Sequence, residues 1–465
     1  MDRRELETLL DPLALSARVG AAEAAWAAHR ASWAADRARA SAEDDPLAGR
    51  HRAVAGASLH RTLAEKAAPP PSSSPGEPSG LEVASAEREL WSALARWVAF
   101  LTLERIAAPA DAEVERAFAA KVTAPVLGLP PRGGPSPGER LSFRELVDEI
   151  LLARDAAAAA AWCGLATEAA GSVAGALARA GALRREVAAR IPADPLAMAT
   201  VPGEGALGAA AERFLAATRD LATEVLRVPG APPGFPSQLR SALAQDATEG
   251  WPARLGPRWL VECFAGAPSA SAPSLPRFVC GGSTFARAAR LHGEAVHRAL
   301  RPRGLPFVLA RSPLEADARA TGLLFASALA TRVFHRRARP PPPRLADPQP
   351  RALARCMLFS ARRAAARVAA GEVAARAHLL GEPPMPAPLA SVLLAPTTAA
   401  FVEFAAWLDL PASVTRTEER FDEDWFANPR FGADLAARVA AGARPLAPEE
   451  GAERVLAARL EATLA

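Results

Sequence analysis

The chain has 465 residues, half of them hydrophobic and 23% charged, with a formal net charge of +4. That length and charge content exclude wholesale disorder and allow a large buried core of several domains or one big helical body. A net +4 spread over the whole chain leaves no electrostatic footprint for nucleic acid, even at a pI near 9.3, so no nucleic-acid partner is expected.

Alanine dominates the apolar residues and β-branched residues are sparse. Alanine loses no side-chain entropy in a helix, so the expected fold class is all-α, a large multi-helix body of closely packed helices rather than sheets. The basic residues are almost all arginine, with Lys66 and Lys121 the lysines. Cys163, Cys263, Cys280 and Cys356 lie far apart without a CxxC pair, which argues against a structural zinc site or a disulfide framework and for buried thiols in a reducing compartment. Met1 to Glu7 carries acidic residues where a signal peptide needs an apolar run, so a cytoplasmic location is expected.

In chain order, residues 1–128 read as an N-terminal helical region interrupted by a Pro/Ser-rich loop at 67–80. Trp26 and Trp33, two helical turns apart, share one face and read as core. Residues 140–276 form a middle helical region, opened by Ser142-Phe143-Arg144-Glu145, which has the form of a capping box. Within it, Ala156 to Leu183 comes nearest to a membrane span, but it is alanine- and glycine-rich and contains Glu168 and Arg179. Alanine contributes little to insertion, so the stretch reads as a buried central helix or helix pair, and no membrane partner is expected. After Pro202 and Gly203 a helix follows to about Val228. The third region, 277–465, holds helices at Ser283 to about Arg301 and about Pro313 to Arg337, then helices alternating with short turns.

One segment of that last region carries the pattern of a chemical site: Leu291-His292-Gly293-Glu294-Ala295-Val296-His297. In a helical HExxH motif two histidines four residues apart bind zinc, and the glutamate polarises water. Glu294 and His297 stand at the second and fifth positions of that frame, but the first is Gly293, and His292 lies about 100° away around the helix. On a helical wheel His292 falls in the apolar stripe with Phe285, Ala288, Ala289 and Val296. Glu294 falls opposite, with Arg290 and Arg298 each four residues away. The plain reading makes His292 a core histidine and Glu294 an ion-paired surface carboxylate.

The order of these residues resembles the oligoendopeptidase F and thimet oligopeptidase family of helical zinc metallopeptidases, over about Arg277 to the C-terminus. There the zinc helix is followed by a second helix supplying a glutamate ligand; here Glu315 is the analogue, and the better-spaced position falls near Arg319, which cannot bind a cation. The run Asp422-Glu423-Asp424-Trp425-Phe426-Ala427-Asn428-Pro429-Arg430-Phe431-Gly432 resembles the family's closing segment, followed by a helix, a glycine turn and a last helix. The resemblance implies a central cleft. In an active protein it implies Glu294 as catalytic base, with zinc on His297, Glu315 and His292, the last brought in by a local distortion such as a π-bulge. The family's chemistry also needs a first histidine and a late tyrosine or histidine to steady the oxyanion; this chain has glycine at the first position and no tyrosine. The expectation is therefore a catalytically impaired, metallopeptidase-like body without a cofactor, binding peptides or another protein. The alternatives are an atypical zinc oligopeptidase and a helical partner-binding protein unrelated to peptidases.

The remaining motifs have plainer readings. Cys280-Gly281-Gly282-Ser283-Thr284 lacks the lysine of a P-loop and reads as a turn with a helix cap. Arg332, Arg336, Arg337 and Arg339 cluster at a helix C-terminus, where cations suit the dipole. Phe401, Phe404 and Trp407 have helical spacing and read as core.

Overall fold

Helix-forming composition and local caps set most element boundaries in the computed structural model, which describes residues 11–68, 81–123, 138–153, 155–191, 194–227, 234–243, 262–264, 281–337, 348–381 and 384–465. Asp11 accepts from the amides of Leu13 and Ala14 and starts α1 (Pro12–Ala35), with proline in its first turn. Short 3-10 turns lead to α2 (Ala57–Ala67), and α3 (Leu81–Ala119) continues through Pro109. The composition argued against sheets, yet β1 (Lys121–Thr123) pairs antiparallel with β2 (Arg140–Ser142), Val122 opposite Leu141. Two β-branched residues in β1 and a buried Leu141 in β2 suffice for this short ladder against the helices.

The capping box is made as read: Ser142 accepts from the Glu145 amide while the Glu145 carboxylate takes the Ser142 amide, starting α4 (Phe143–Leu152). Asp155 then caps α5 (Ala156–Arg190), a single helix. Its buried residues, Ala159, Trp162, Cys163, Ala166, Ala170, Val173 and Ala176 among them, recur at three- and four-residue spacing, the mark of one face against a protein core. Next come α6 (Pro195–Met198), α7 (Glu204–Ala217), α8 (Arg219–Val225) and α9 (Phe235–Leu243), so the helix read from Pro202 to Val228 breaks at Thr218.

The C-terminal part consists of α10 (Gly281–Leu300), α11 (Phe307–Ala310), α12 (Ala316–Ala328), α13 (Arg332–Arg337), α14 (Pro348–Val368), α15 (Val373–Leu380), α16 (Ala387–Leu393), α17 (Thr398–Phe421), α18 (Pro429–Ala440) and α19 (Ala452–Leu464). The protein is all-α apart from the small strand pair. Among the described residues no single helix is long and apolar enough to cross a membrane. The bent pair α16–α17 passes that test by length and composition, but Phe401, Phe404 and Trp407 on it are buried in the core.

Two large cores hold the molecule together. One is continuous from Leu141 to Leu460 and takes in both the middle and the last region. The other joins α1, α2 and α3 and reaches Val187, Ile191, Met198 and Val308. Polar contacts tie this N-terminal layer to the rest: Trp97 Nε1 donates to the Arg311 carbonyl at 2.9 Å, and Arg30 and Arg184 share the carboxylates of Glu104 and Asp111. Trp33 is buried as read, whereas Trp26 is half-buried and packs edge-on against Phe100.

Candidate functional site

The segment with the peptidase-like pattern lies on α10, which runs antiparallel to α12 in close contact. The closeness comes from two glycines. A Cβ added at Gly293 would lie 2.8 Å from Phe325 Cγ and 3.0 Å from Gly322 Cα, and one added at Gly322 would lie 2.7 Å from the Arg290 carbonyl oxygen. Side chains at either position would therefore force the helices apart. Gly293, read in the sequence as a missing ligand, is here a point of backbone-to-backbone packing, and its Cα–H faces a helix rather than an open space.

Most of the charged groups around this contact find partners within the protein itself. His292 is buried against Phe325 and Phe264, and burial pushes its pKa below the ordinary imidazole range; its Nδ1 has no hydrogen-bond partner among the described residues. Glu294 accepts from Arg298 Nη2 at 3.0 Å and from Arg290 Nε at 3.4 Å. The i,i+4 pairs thus form as the spacing implies, but Glu294 is buried at 8% exposure and is not the surface carboxylate of the sequence reading. The cause is α12, which covers that side of α10.

Glu315 ends a 3-10 turn, Pro313–Glu315, where Leu314 (φ 65°) and Glu315 (φ 50°) are both left-handed. Such conformations cost non-glycine residues about 1–3 kcal/mol each. The turn is held from both sides: Arg319 Nε donates to the Leu314 carbonyl at 3.0 Å, and Arg298 Nε and Arg301 Nη1 donate to the Glu315 carboxylate at 2.6 and 2.5 Å. Burial would raise the Glu315 carboxyl, but the charges of Arg301 and Arg298 and their hydrogen bonds outweigh it, leaving the pKa lowered.

His297 is engaged at both ring nitrogens. Nε2 lies 3.2 Å from Asp317 Oδ2 and Nδ1 lies 2.9 Å from Thr321 Oγ1. Burial would raise the Asp317 carboxyl, but the hydrogen bond and charge of His297, with Arg301 and the Ala318 amide, hold it below the usual carboxylate range. Thr321 in turn donates to the Asp317 carbonyl.

The structure thus brings Glu294 and Glu315 together, both touching Arg298, and sets His297 beside them on the same helix pair. The cation between the two carboxylates is a guanidinium, and neither nitrogen of His297 is open to a metal. His292 faces the opposite, apolar side, and α10 is unbroken across it, so it does not join the group. This arrangement does not fit zinc. Among the described residues no group of three or more His, Cys, Asp or Glu side chains is placed to hold a metal ion.

The closing-segment motif also has a packing role. Trp425 and Phe426 are buried, and Trp425 contacts Phe325 and Phe431, so the segment seals the aromatic cluster beneath Gly293. Asn428 caps α18 by accepting from the Arg430 amide. Of the Cys280-Gly281-Gly282 turn, Cys280 lies outside the described residues, and the glycines form the first turn of α10.

Arg290 joins this contact to a second group of charges. Its guanidinium also makes a two-pronged bond to Glu403 on α17. Arg319 Nη1 approaches the same carboxylate at 3.7 Å, and Arg363 and Arg367 on α14 add their fields. Burial would raise the Glu403 carboxyl, but Arg290, Arg319 and Arg363 hold it low. Sequence reading missed Asp317, Thr321, Glu403, Arg363 and Arg367, because their partners lie 20 to more than 100 residues away in the chain. Comparison with family models, curated proteins and solved structures gives no match to this chain.

Proposed function

We propose that this chain is a non-catalytic helical body, a scaffold or a binder of peptides or another protein, in which the positions of a metallopeptidase-like pattern serve as a structural clamp. The observation that carries the reading is the pair of bonds from Arg298 to Glu294 and Glu315. Those carboxylates are the ones a zinc-peptidase mechanism would need as base and ligand, and a covalently attached cation already bridges both, with Arg290 and Arg301 completing the pairing. The engagement of both His297 nitrogens and the close packing at Gly293 support the same reading. The class of partner rests on the family resemblance alone.

The atypical zinc oligopeptidase requires Glu294, His297 and Glu315 all to be released from their protein partners, and no observation favours it over the clamp. The test is to measure metal content and peptidase activity of the purified chain beside Glu294→Gln. The clamp reading expects substoichiometric zinc and a variant that melts at lower temperature. One zinc per chain, with chelator-sensitive peptide cleavage abolished in Glu294→Gln, would overturn it.

A further inference from the structure

Two buried histidines stand at the edges of one aromatic cluster, and the closing segment is the strap that covers it. Between ring centroids, Trp425 lies 5.9 Å from Phe325 and 6.3 Å from Phe264, and Phe426 lies 5.0 Å from Phe334 and 6.2 Å from Phe264. His292 lies 5.8 Å from Phe325 and 6.1 Å from Phe264, and His335 lies 5.7 Å from Phe334. Each imidazole therefore touches a ring against which the strap packs.

Neither histidine has a carboxylate to stabilise a second proton. His292 Nδ1 meets no partner among the described residues, and His335 Nε2 donates to the Leu329 carbonyl at 2.7 Å. The charged and titratable groups on the elements packed here are Glu262 and Cys263 beside Phe264, Arg332, Arg336 and Arg337 on α13, and Arg430 and Asp434 on α18. The strap carries Asp422, Glu423 and Asp424, while α10 and α12 carry Arg290, Glu294, Asp317 and Arg319. None of their charges contributes to the lowered pKa values, which follow from burial, at His335 against the pull of the Leu329 carbonyl. A proton on either ring thus places an unpaired charge among buried aromatic side chains.

The strap has little else to hold it. Asp422 at its start is left-handed (φ 64°), and Asp424 pairs at 2.7 Å with an Arg337 side chain that is largely exposed. Its grip is the burial of Trp425 and Phe426. By contrast, the clamp between α10 and α12 resists mild acid, because its partners hold the carboxyls of Glu315 and Asp317 below the usual range.

We propose that residues 422–428 form an acid-released strap: protonation of His292 and His335 drives Trp425 and Phe426 out of the aromatic cluster while the helical body around it stays folded. The inference goes beyond the scaffold reading and does not rest on it. Because both folded-state pKa values lie below the ordinary 6.5, the strap's contribution is complete above that pH and is lost as pH falls towards the lowered values.

The test is hydrogen–deuterium exchange of the full chain from about pH 7.5 to 5, corrected for the intrinsic rate at each pH. Protection of residues 422–431 should fall about tenfold to a hundredfold over that span, while α5 keeps its protection. The double variant His292→Phe with His335→Gln, which keeps a donor for the Leu329 carbonyl, should lose this acid step, and each single variant should lose part of it. His378→Gln, at an exposed position, should open as the parent does. Asp424→Asn should lower protection at every pH and retain the step, which separates the ion pair from the histidines. The proposal is overturned if the strap stays protected at the acid end, if α5 loses protection in step with it, or if the double variant opens like the parent. Loss of the step in Asp424→Asn or His378→Gln also overturns it. Should the double variant lose its helical circular dichroism at neutral pH, His292→Phe alone decides, and an acid step of the parent's full size in that variant overturns the proposal.

Discussion

The α10–α12 pair has two charged flanks that share Arg290 and are built on opposite plans. On the clamp flank, Glu294, Glu315 and Asp317 meet Arg298, Arg301 and His297, and each carboxylate has a partner within hydrogen-bond distance. On the other flank, Arg290 and Arg319 hold Glu403, and the charges of Arg363 and Arg367 add to theirs. Matched pairs tie two neighbouring helices together, whereas one carboxylate shared between Arg290 and Arg319 gathers α10, α12 and α17 at a single point.

The largest expected effect comes from breaking the contact between the flanks. Gly293→His, which restores the first histidine of the peptidase pattern, should destabilise by about 3 kcal/mol or more through overpacking against Phe325 and Gly322, read as a lowered denaturation midpoint. A variant of unchanged stability that takes up zinc would show that the helices can part and that the clamp is a latent site. Glu315→Gln should cost about 2 kcal/mol, less than the about 3–5 kcal/mol of a fully buried pair, because Glu315 and Arg298 keep solvent contact. Glu403→Gln should cost about as much, because it takes from Arg290 its two-pronged partner, read again as a lowered denaturation midpoint. An unchanged midpoint would show that Glu403 does not tie these helices together.

A smaller effect separates both flanks from the apolar side of α10. Because burial lowers the folded-state pKa of His292, the unfolded chain binds its proton first as pH falls through the ordinary value of 6.5. This stability contribution is therefore complete above that pH and is lost on acidification towards the lowered folded value. His292→Phe should flatten that part of the stability–pH profile; an unchanged slope would mean that other groups carry it. The smallest expected effect is that of Arg363→Gln, an exposed position, within about 0.5 kcal/mol of the parent in chemical denaturation. A loss beyond about 2 kcal/mol would show that Arg363 serves the fold after all.

What could be read from the linear chain follows from interactions between near neighbours. Alanine content foretold the helices, Ser142 and Glu145 foretold a cap, and the four-residue spacing of Arg290, Glu294 and Arg298 foretold their pairing, because each depends on residues within one helical turn. The break at Thr218 and the strand pair escaped notice, since local propensity at those places is weak and packing decides.

The sequence by itself determined an all-α protein and placed His292, Glu294 and His297 on one helix with His292 on its apolar side. Only the tertiary structure decided what those residues touch. The proximity of α12 turned Gly293 from a gap in a motif into a contact point, brought Glu315 to the Arg298 already paired with Glu294, and set Asp317 and Thr321 on His297. It also gathered Arg319, Arg363 and Arg367 around Glu403. Long-range pairing of this kind leaves no periodic trace along the chain, because a guanidinium or carboxylate is selected by its partner across the fold and not by its neighbours in sequence.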